Sequence, residues 1–344
     1  VGVLFGAAVD QDSKKSTDYI LHLYQDGLGM PERDYYLKDD KESKRVRDAY
    51  LLYLVKFFRL LGKSPKEAIT ARDSVMRIET ALAKVSMNKE DRRDADKTYH
   101  KKTLRELSKF APQIDWSLYM TRTGAKSPAS VIVMQPEFLR AAGMHLVSIP
   151  LDDWKTYFEF HLANDYAGYL SASFVHTAFS FYGTVLSGTK VMRPLWRRSL
   201  AATNASLGEL LGQIYVKKHF PPEAKKKMLE LVADLFTAYE ARLKNLDWMS
   251  PATKKKALRK LGAFTRKIGY PDKWKDYSNV KIARDDWFGN MLRIREWHVN
   301  YYLAKIGKPV DKAEWSMSPP TVNAYYNPQM NDINFPAGVL QPPL

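Results

Sequence analysis

Cysteine is absent from this sequence of 344 residues. Disulfide frameworks, zinc sites built from thiolates and cysteine nucleophiles are therefore excluded. The absence does not fix a compartment, because exported bacterial proteins also lack cysteine in many cases. It argues against an animal extracellular protein, which would usually carry disulfides.

Long apolar runs and a leader sequence are also missing. No stretch of about 18 or more apolar residues occurs, so no transmembrane helix is predicted within these residues. Residues 1–10 contain neither a basic region nor an initiator methionine. We therefore predict no secretory signal there, and residue 1 does not resemble a translation start.

Acidic residues are outnumbered by basic ones. The 54 Lys and Arg residues stand against 38 Asp and Glu residues, which gives a formal net charge of +16. Such a charge raises the question of nucleic-acid binding. The basic residues, however, form short clusters at helical spacing with acids nearby, as where Lys225 lies between Glu223 and Glu230. We interpret these clusters as solvated helix faces and expect no nucleic-acid partner.

Complete catalytic motifs are absent as well. The sequence contains no Gly-x-Ser-x-Gly, no phosphate-binding glycine loop and no His-Glu-x-x-His. Of its 7 histidines, only His161 and His176 lie on one predicted helix. They are about four turns apart, too far to bind one metal ion. Read by their chemistry alone, these residues form no catalytic site.

Most of the chain has the apolar periodicity of α-helices. Residues 48–61 place apolar side chains at spacings of three and four, which is typical of an amphipathic helix. Ser64, Pro65 and Glu67 follow in the order of an N-cap, a first-turn proline and a capping-box acid. Further helices are predicted at residues 152–180, 201–216, 222–246 and 253–268.

Strand signals are few. Residues 130–134 form a short β-branched run, and one clear hairpin is predicted near the end of the chain. Its strands are residues 321–326 and 332–335, and its loop is the turn-rich segment 327–331. A globular domain rarely begins a sheet with one hairpin and ends there, so we expect the chain to be part of something longer.

The start of this hairpin is the one candidate binding feature. An edge strand has unpaired backbone groups that can pair with an extended peptide. Asn323 could add side-chain hydrogen bonds to the peptide backbone, and the small Ala324 would leave room for its approach. Spacing alone is also compatible with an ordinary hairpin, which is the simpler interpretation.

Residues 321–343, TVNAYYNPQMNDINFPAGVLQPP, strongly resemble the neprilysin family of zinc metallopeptidases, which includes endothelin-converting enzyme and bacterial oligopeptidase O. The family pattern is Val-Asn-Ala-Tyr-Tyr, a loop, then Asn-x-Ile-x-Phe-Pro-Ala-Gly-Ile-Leu-Gln-Pro-Pro-Phe. Other landmarks follow in family order at residues 3–12, 27–37, 196–215 and 246–271. The resemblance therefore covers essentially the whole chain.

The resemblance implies a mainly α fold. Residues 1–246 would form a large helical capping domain. Residues 247–344 would supply linking helices and the first β-hairpin of a thermolysin-like α+β catalytic domain. Family members enclose oligopeptide substrates in a cavity between the two domains. They hold zinc with the two histidines of His-Glu-x-x-His and a downstream glutamate, and the glutamate inside the motif is the general base.

The resemblance also assigns residues. Asn323 and Ala324 match the pair that binds the substrate backbone. Leu344 stands where the family usually has Phe, in the pocket for the side chain just beyond the cleaved bond. The zinc motif follows this point in the family and is not among these residues. We therefore expect no zinc ligand and no catalytic residue in this chain, and the C-terminal catalytic portion of the same enzyme as its partner.

Three functions are weighed on this basis. The first is a zinc endopeptidase, of which these residues alone would be inactive. The second is a non-catalytic peptide-binding or scaffold protein of the same fold, and the third is a basic helical nucleic-acid binder. Animal members carry disulfides and this chain carries no cysteine. The resemblance therefore favours a bacterial member located in the periplasm or outside the cell.

Overall fold

The computed structural model describes residues 2–126 and 128–342. Within them the chain is mainly helical with two small sheets, which confirms the predicted fold class. The α-helices of the described ranges are α1 (Asp34–Leu37), α2 (Lys41–Leu60), α3 (Pro65–Val85), α4 (Leu104–Phe110), α5 (Trp116–Thr123), α6 (Pro136–Ser148), α7 (Leu151–Asp165), α8 (Ala172–Ala178), α9 (Leu195–His219), α10 (Pro222–Lys244), α11 (Pro251–Gly262) and α12 (Trp287–Leu303). The strands are β1 (Phe5–Asp12), β2 (Lys15–Gln25), β3 (Lys101–Thr103), β4 (Ser130–Val133), β5 (Thr265–Gly269), β6 (Tyr325–Asn327) and β7 (Asp332–Pro336).

The chain forms two compact units. The first unit comprises residues 1–192 and 282–309, and the second comprises residues 193–281 and 310–344. The predicted domain boundary between residues 246 and 247 lies inside the second unit. The two compact units therefore meet at other positions in the sequence. That boundary, as a division between capping and catalytic domains, remains a prediction.

The first unit contains a four-stranded sheet in the order β1-β2-β4-β3. The predicted strand at residues 130–134 is confirmed as β4, which pairs parallel to β2 and antiparallel to β3. The antiparallel pair of β1 and β2 is a second hairpin, which the sequence analysis did not predict. Exposed and buried positions do not alternate along β1, so the period of two that signals a strand is missing there.

Helix α3 of the first unit begins where the local sequence predicts, whereas α2 begins at Lys41, seven residues before the predicted start at residue 48. Ser64 caps α3, and the reciprocal bonds between Ser64 and Glu67 form the expected capping box. The apolar stripe at residues 48–61 lies on α2, where Tyr50, Leu54 and Phe57 are fully buried. None of the described helices is long and apolar enough to cross a membrane.

The helix predicted at residues 152–180 is interrupted. It ends at Asp165 in α7, continues as a short 3-10 turn over Ala167–Tyr169 and resumes as α8. A π-helix follows over Phe179–Leu186. The break arises because Ser171 is extended, with φ −61° and ψ 160°, and begins a new helix.

A buried polar cluster lies between α1, α2, α3 and α7. The Glu79 carboxylate is fully buried. It accepts hydrogen bonds from the Tyr36 hydroxyl at 2.8 Å and the Tyr50 hydroxyl at 3.0 Å, and lies 2.8 Å from His161 Nε2. His161 thus has a structural partner in the core of the first unit.

Candidate functional site

The second unit contains a three-stranded sheet in the order β5-β7-β6. The central strand β7 pairs parallel to β5 and antiparallel to β6. The predicted helix at residues 253–268 is wrong at its end, because α11 stops at Gly262 and residues 265–269 form β5. Backbone pairing with β7, which is distant in sequence, decides the conformation of this segment against its local periodicity.

The predicted hairpin near the end of the chain is confirmed, with a shorter first strand. β6 begins at Tyr325 and pairs with β7 over three residues, ending at the pair Asn327 and Asp332. The side chain of Asn327 accepts from the backbone N–H groups of Gln329 at 2.9 Å and Met330 at 3.1 Å, which closes the loop. Asn331 completes it in the left-handed region with φ 53°.

Asn323 and Ala324 lie immediately before this edge strand. The Asn323 side chain is exposed, and its Oδ1 accepts from the Ala324 backbone N–H at 2.8 Å. This local bond orients the amide and leaves the Nδ2 donor without a partner among the described residues. Ala324 is half-buried. Leu344, the third predicted site residue, lies outside the described residues.

The segment before Asn323 is held in place by the turn at residues 337–339, which directly follows β7. The Gly338 N–H donates to the Pro319 carbonyl at 2.8 Å. A Cβ at Gly338 would lie 2.6 Å from the Pro320 carbonyl oxygen, so a side chain there would force the two segments apart. On the other side, the Pro319 ring packs on Gly212 of α9, where a Cβ would lie 2.6 Å from the ring. Both glycines permit close approach of the segment before the edge strand.

Tyr325 fixes the first residue of β6. Its hydroxyl accepts from the Ser316 backbone N–H at 2.8 Å. Burial raises the pKa of the Tyr325 phenol above its ordinary value. The phenol therefore remains protonated at neutral pH and keeps its neutral contact with the preceding loop.

A buried ion pair lies behind the hairpin. Lys267 on β5 donates to Asp332 Oδ2 at 2.5 Å and to the Glu314 carbonyl at 2.7 Å. Asn334 Nδ2 donates to Asp332 Oδ1 at 2.7 Å. The sequence analysis missed this cluster because it placed Lys267 on a helix. The pair fixes the register of β5 on β7, and through β7 it positions the edge strand β6.

The described residues offer no metal site. Over residues 2–126 and 128–342, no group of three His, Asp or Glu side chains could hold a metal ion. The donor set of these residues therefore does not fit a zinc ion.

Comparison with known proteins decides the family. Residues 1–271 match the N-terminal model of "Peptidase family M13". The chain belongs to peptidase family M13. It is 33% identical to an endothelin-converting enzyme homolog of Locusta migratoria, and this match covers 100% of the chain and 49% of the relative. The resemblance seen in the hairpin motif is thereby confirmed.

Solved structures of bacterial relatives agree with this assignment. The M13 chain superposes on the zinc metalloprotease Zmp1 of Mycobacterium tuberculosis, solved in complex with an inhibitor, with a TM-score of 0.92 and 38% identity. That match covers 100% of this chain and 52% of Zmp1. PepO of Lactobacillus rhamnosis matches with a TM-score of 0.88 and 25% identity, over 99% of this chain and 54% of PepO. The chain thus spans about half the length of the relatives it matches.

Proposed function

We propose that these residues are part of a zinc-dependent endopeptidase that cleaves oligopeptides. In this proposal they supply the helical cap and the strand that binds the substrate backbone. The observation that carries it is the edge position of β6, directly preceded by the exposed Asn323 and the small Ala324. Membership of family M13 supplies the class of reaction.

The geometry favours an extended peptide as the bound group. One edge of β6 pairs with β7, and across the described residues no strand pairs with the other edge. Its backbone groups can therefore take up a peptide by strand addition. Asn323 Nδ2 can donate to a substrate carbonyl, because its Oδ1 is already held by the Ala324 N–H. The Ala324 methyl group leaves the approach open.

Replacement of Asn323 by Ala in the full-length enzyme tests this role. We expect kcat/KM for oligopeptides to fall roughly ten-fold, the equivalent of one net hydrogen bond of about 1.4 kcal/mol. The matched control is Asn245→Ala, which removes an exposed asparagine at the end of α10 in the same unit. Equal kcat/KM for Asn323→Ala, Asn245→Ala and the parent enzyme would contradict the assignment.

The zinc ligands are expected in the catalytic portion outside these residues. We therefore expect the 344-residue chain, purified alone, to hold no stoichiometric zinc and to leave oligopeptides intact. Elemental analysis and mass spectrometry of an incubated peptide check both points. Stoichiometric zinc together with hydrolysis by this chain alone would contradict the proposal that the zinc ligands lie outside these residues.

A non-catalytic peptide-binding protein of the same fold is the second candidate, because the exposed edge of β6 would serve peptide binding with or without cleavage. The full-length protein separates the two. An endopeptidase binds zinc and cleaves the peptide, whereas a binding protein shows saturable peptide binding with no cleavage.

The cap role, the enclosed cavity and the cellular location belong to the same proposal. Residues 1–246 would form the cap that limits access to oligopeptides. The absence of cysteine and the bacterial solved relatives support a bacterial enzyme, and the location outside the cytoplasm is part of the proposal.

A further inference from the structure

An apolar groove with a volume of about 550 Å³ runs along one face of the second unit. Its longest wall is α10, which contributes Val232, Leu235, Phe236, Tyr239 and Leu243. These residues form one stripe of about three turns, or roughly 16 Å. The Leu235 and Tyr239 side chains are 55% and 63% exposed. An apolar stripe of this length normally packs on another element.

The sheet forms the opposite wall, and its central strand has an unusual polarity. Along β7 the polar Asp332 and Asn334 are buried, whereas the apolar Ile333 and Phe335 are only half-buried and line the groove. Successive side chains of a strand point to opposite faces. The less covered face of β7 is therefore its apolar face, which indicates that a further element covers it.

The rim of the groove is basic. Helix α11, which forms the second helical wall, contains five Lys or Arg residues and no acidic residue. Lys260 lines the groove, with its Nζ 5.7 Å from the centre of the Tyr326 ring. The Arg266 guanidinium lies 4.1 Å from the centre of the Phe236 ring. An occupant with acidic residues beside its apolar face would complement this rim.

We infer that the groove receives an amphipathic helix of about three turns, with acidic residues flanking its apolar face, from the catalytic portion of the enzyme. The N-terminal family model ends at residue 271, whereas Tyr326, Ile333 and Phe335 of the groove lie beyond it. The chain covers 52% of Zmp1, so a relative of that length has a second portion outside the matched residues, and we take the occupant from that portion. The inference rests on the proposed function, because it takes its partner from it.

The absence of cysteine allows single cysteines to report on the groove. Tyr239→Cys places a thiol in the stripe on α10. Ala241→Cys is the matched control, because Ala241 is exposed and lies about 200° around the same helix. In the 344-residue chain we expect both thiols to react with a soluble thiol reagent at similar rates. In the full-length enzyme we expect the Tyr239→Cys thiol to react at least about ten-fold more slowly, while the Ala241→Cys thiol keeps its rate.

Three results would overturn the inference. The first is equal reactivity of the Tyr239→Cys thiol in the short chain and the full-length enzyme. The second is protection in the short chain that grows with protein concentration, which identifies a second copy as the occupant. The third is protection in the short chain at every concentration, which identifies a small ligand or a local closure of the groove.

Peptidase activity of the same samples separates this inference from the proposed function. Cleavage with an unprotected Tyr239→Cys thiol contradicts the docking helix alone, whereas protection without cleavage contradicts the peptidase alone.

A second variant tests whether the docking helix carries acidic residues beside its apolar face. Adding Lys260→Glu to full-length Tyr239→Cys should raise the reactivity of the thiol several-fold, and an unchanged rate would show that the rim does not select the occupant.

Discussion

Replacement of Glu79 by Ala is expected to destabilise the first unit by about 3–5 kcal/mol. The carboxylate is fully buried and is the common partner of Tyr36, Tyr50 and His161. Its removal leaves these polar groups without their partner and opens a cavity in the core. Urea unfolding followed by circular dichroism measures the loss as a lower transition midpoint.

The matched control is Glu137→Ala, because the Glu137 side chain is 81% exposed and lies 3.7 Å from Arg140. A surface pair of this kind contributes less than about 1 kcal/mol. Similar midpoints for Glu79→Ala and Glu137→Ala would show that the buried cluster does not stabilise the fold.

A second measurement tests whether the cluster also stabilises the loop at residues 27–30. Tyr36 donates to Glu79 and accepts from the backbone N–H of Met30 at 2.9 Å. Tyr157 and Tyr182 donate to the carbonyls of Gly27 and Gly29 in the same loop. We expect hydrogen exchange of the Met30 amide to quicken in Glu79→Ala and to stay unchanged in Glu137→Ala. The cluster therefore stabilises the conformation of this loop as well as the core.

Replacement of Lys267 by Met is expected to destabilise the second unit by about 3–5 kcal/mol. The Lys267 and Asp332 side chains are 5% and 1% exposed, so neither charge is compensated by water. Removing the lysine leaves the Asp332 carboxylate buried without its cation, with Asn334 as its remaining side-chain partner. Thermal or urea unfolding of the variant measures the loss.

The double variant Lys267→Met, Asp332→Leu separates an unpaired charge from a packing defect. An apolar pair of similar volume often replaces a buried ion pair at little cost in stability. We therefore expect the double variant to be more stable than Lys267→Met alone. A double variant as unstable as the sum of the two single variants would show that the pair contributes through packing and not through charge.

The ion pair also affects the candidate binding site. β7 pairs with β5 on one side and with β6 on the other, so its register determines where Asn323 and Ala324 lie. Loss of Lys267 should therefore weaken peptide turnover by the full-length enzyme, although Lys267 does not contact the edge of β6.

The sequence by itself determined those features whose physical cause lies within a few residues. The capping box of Ser64 and Glu67 spans one helical turn, and the loop after Asn327 is closed by two hydrogen bonds from residues two and three positions further along. The family motif at residues 321–343 is likewise continuous in sequence. Periodicity was enough to predict a mainly helical fold, because an amphipathic helix repeats its pattern every few residues.

Tertiary structure alone decided the features that join distant residues. Residues 265–269 have a helical pattern but form β5, because they pair with a strand more than sixty residues away. The same pairing buries Lys267 beside Asp332 and turns the apolar side chains of β7 toward the groove. Glu79 looks like an ordinary surface acid of an amphipathic helix until α1, α2 and α7 bring Tyr36, Tyr50 and His161 to it. Local propensity is worth tenths of a kcal/mol per residue, whereas leaving one partner of a buried ionic contact unpaired costs about 3–5 kcal/mol, so the conformation that keeps the distant contacts prevails.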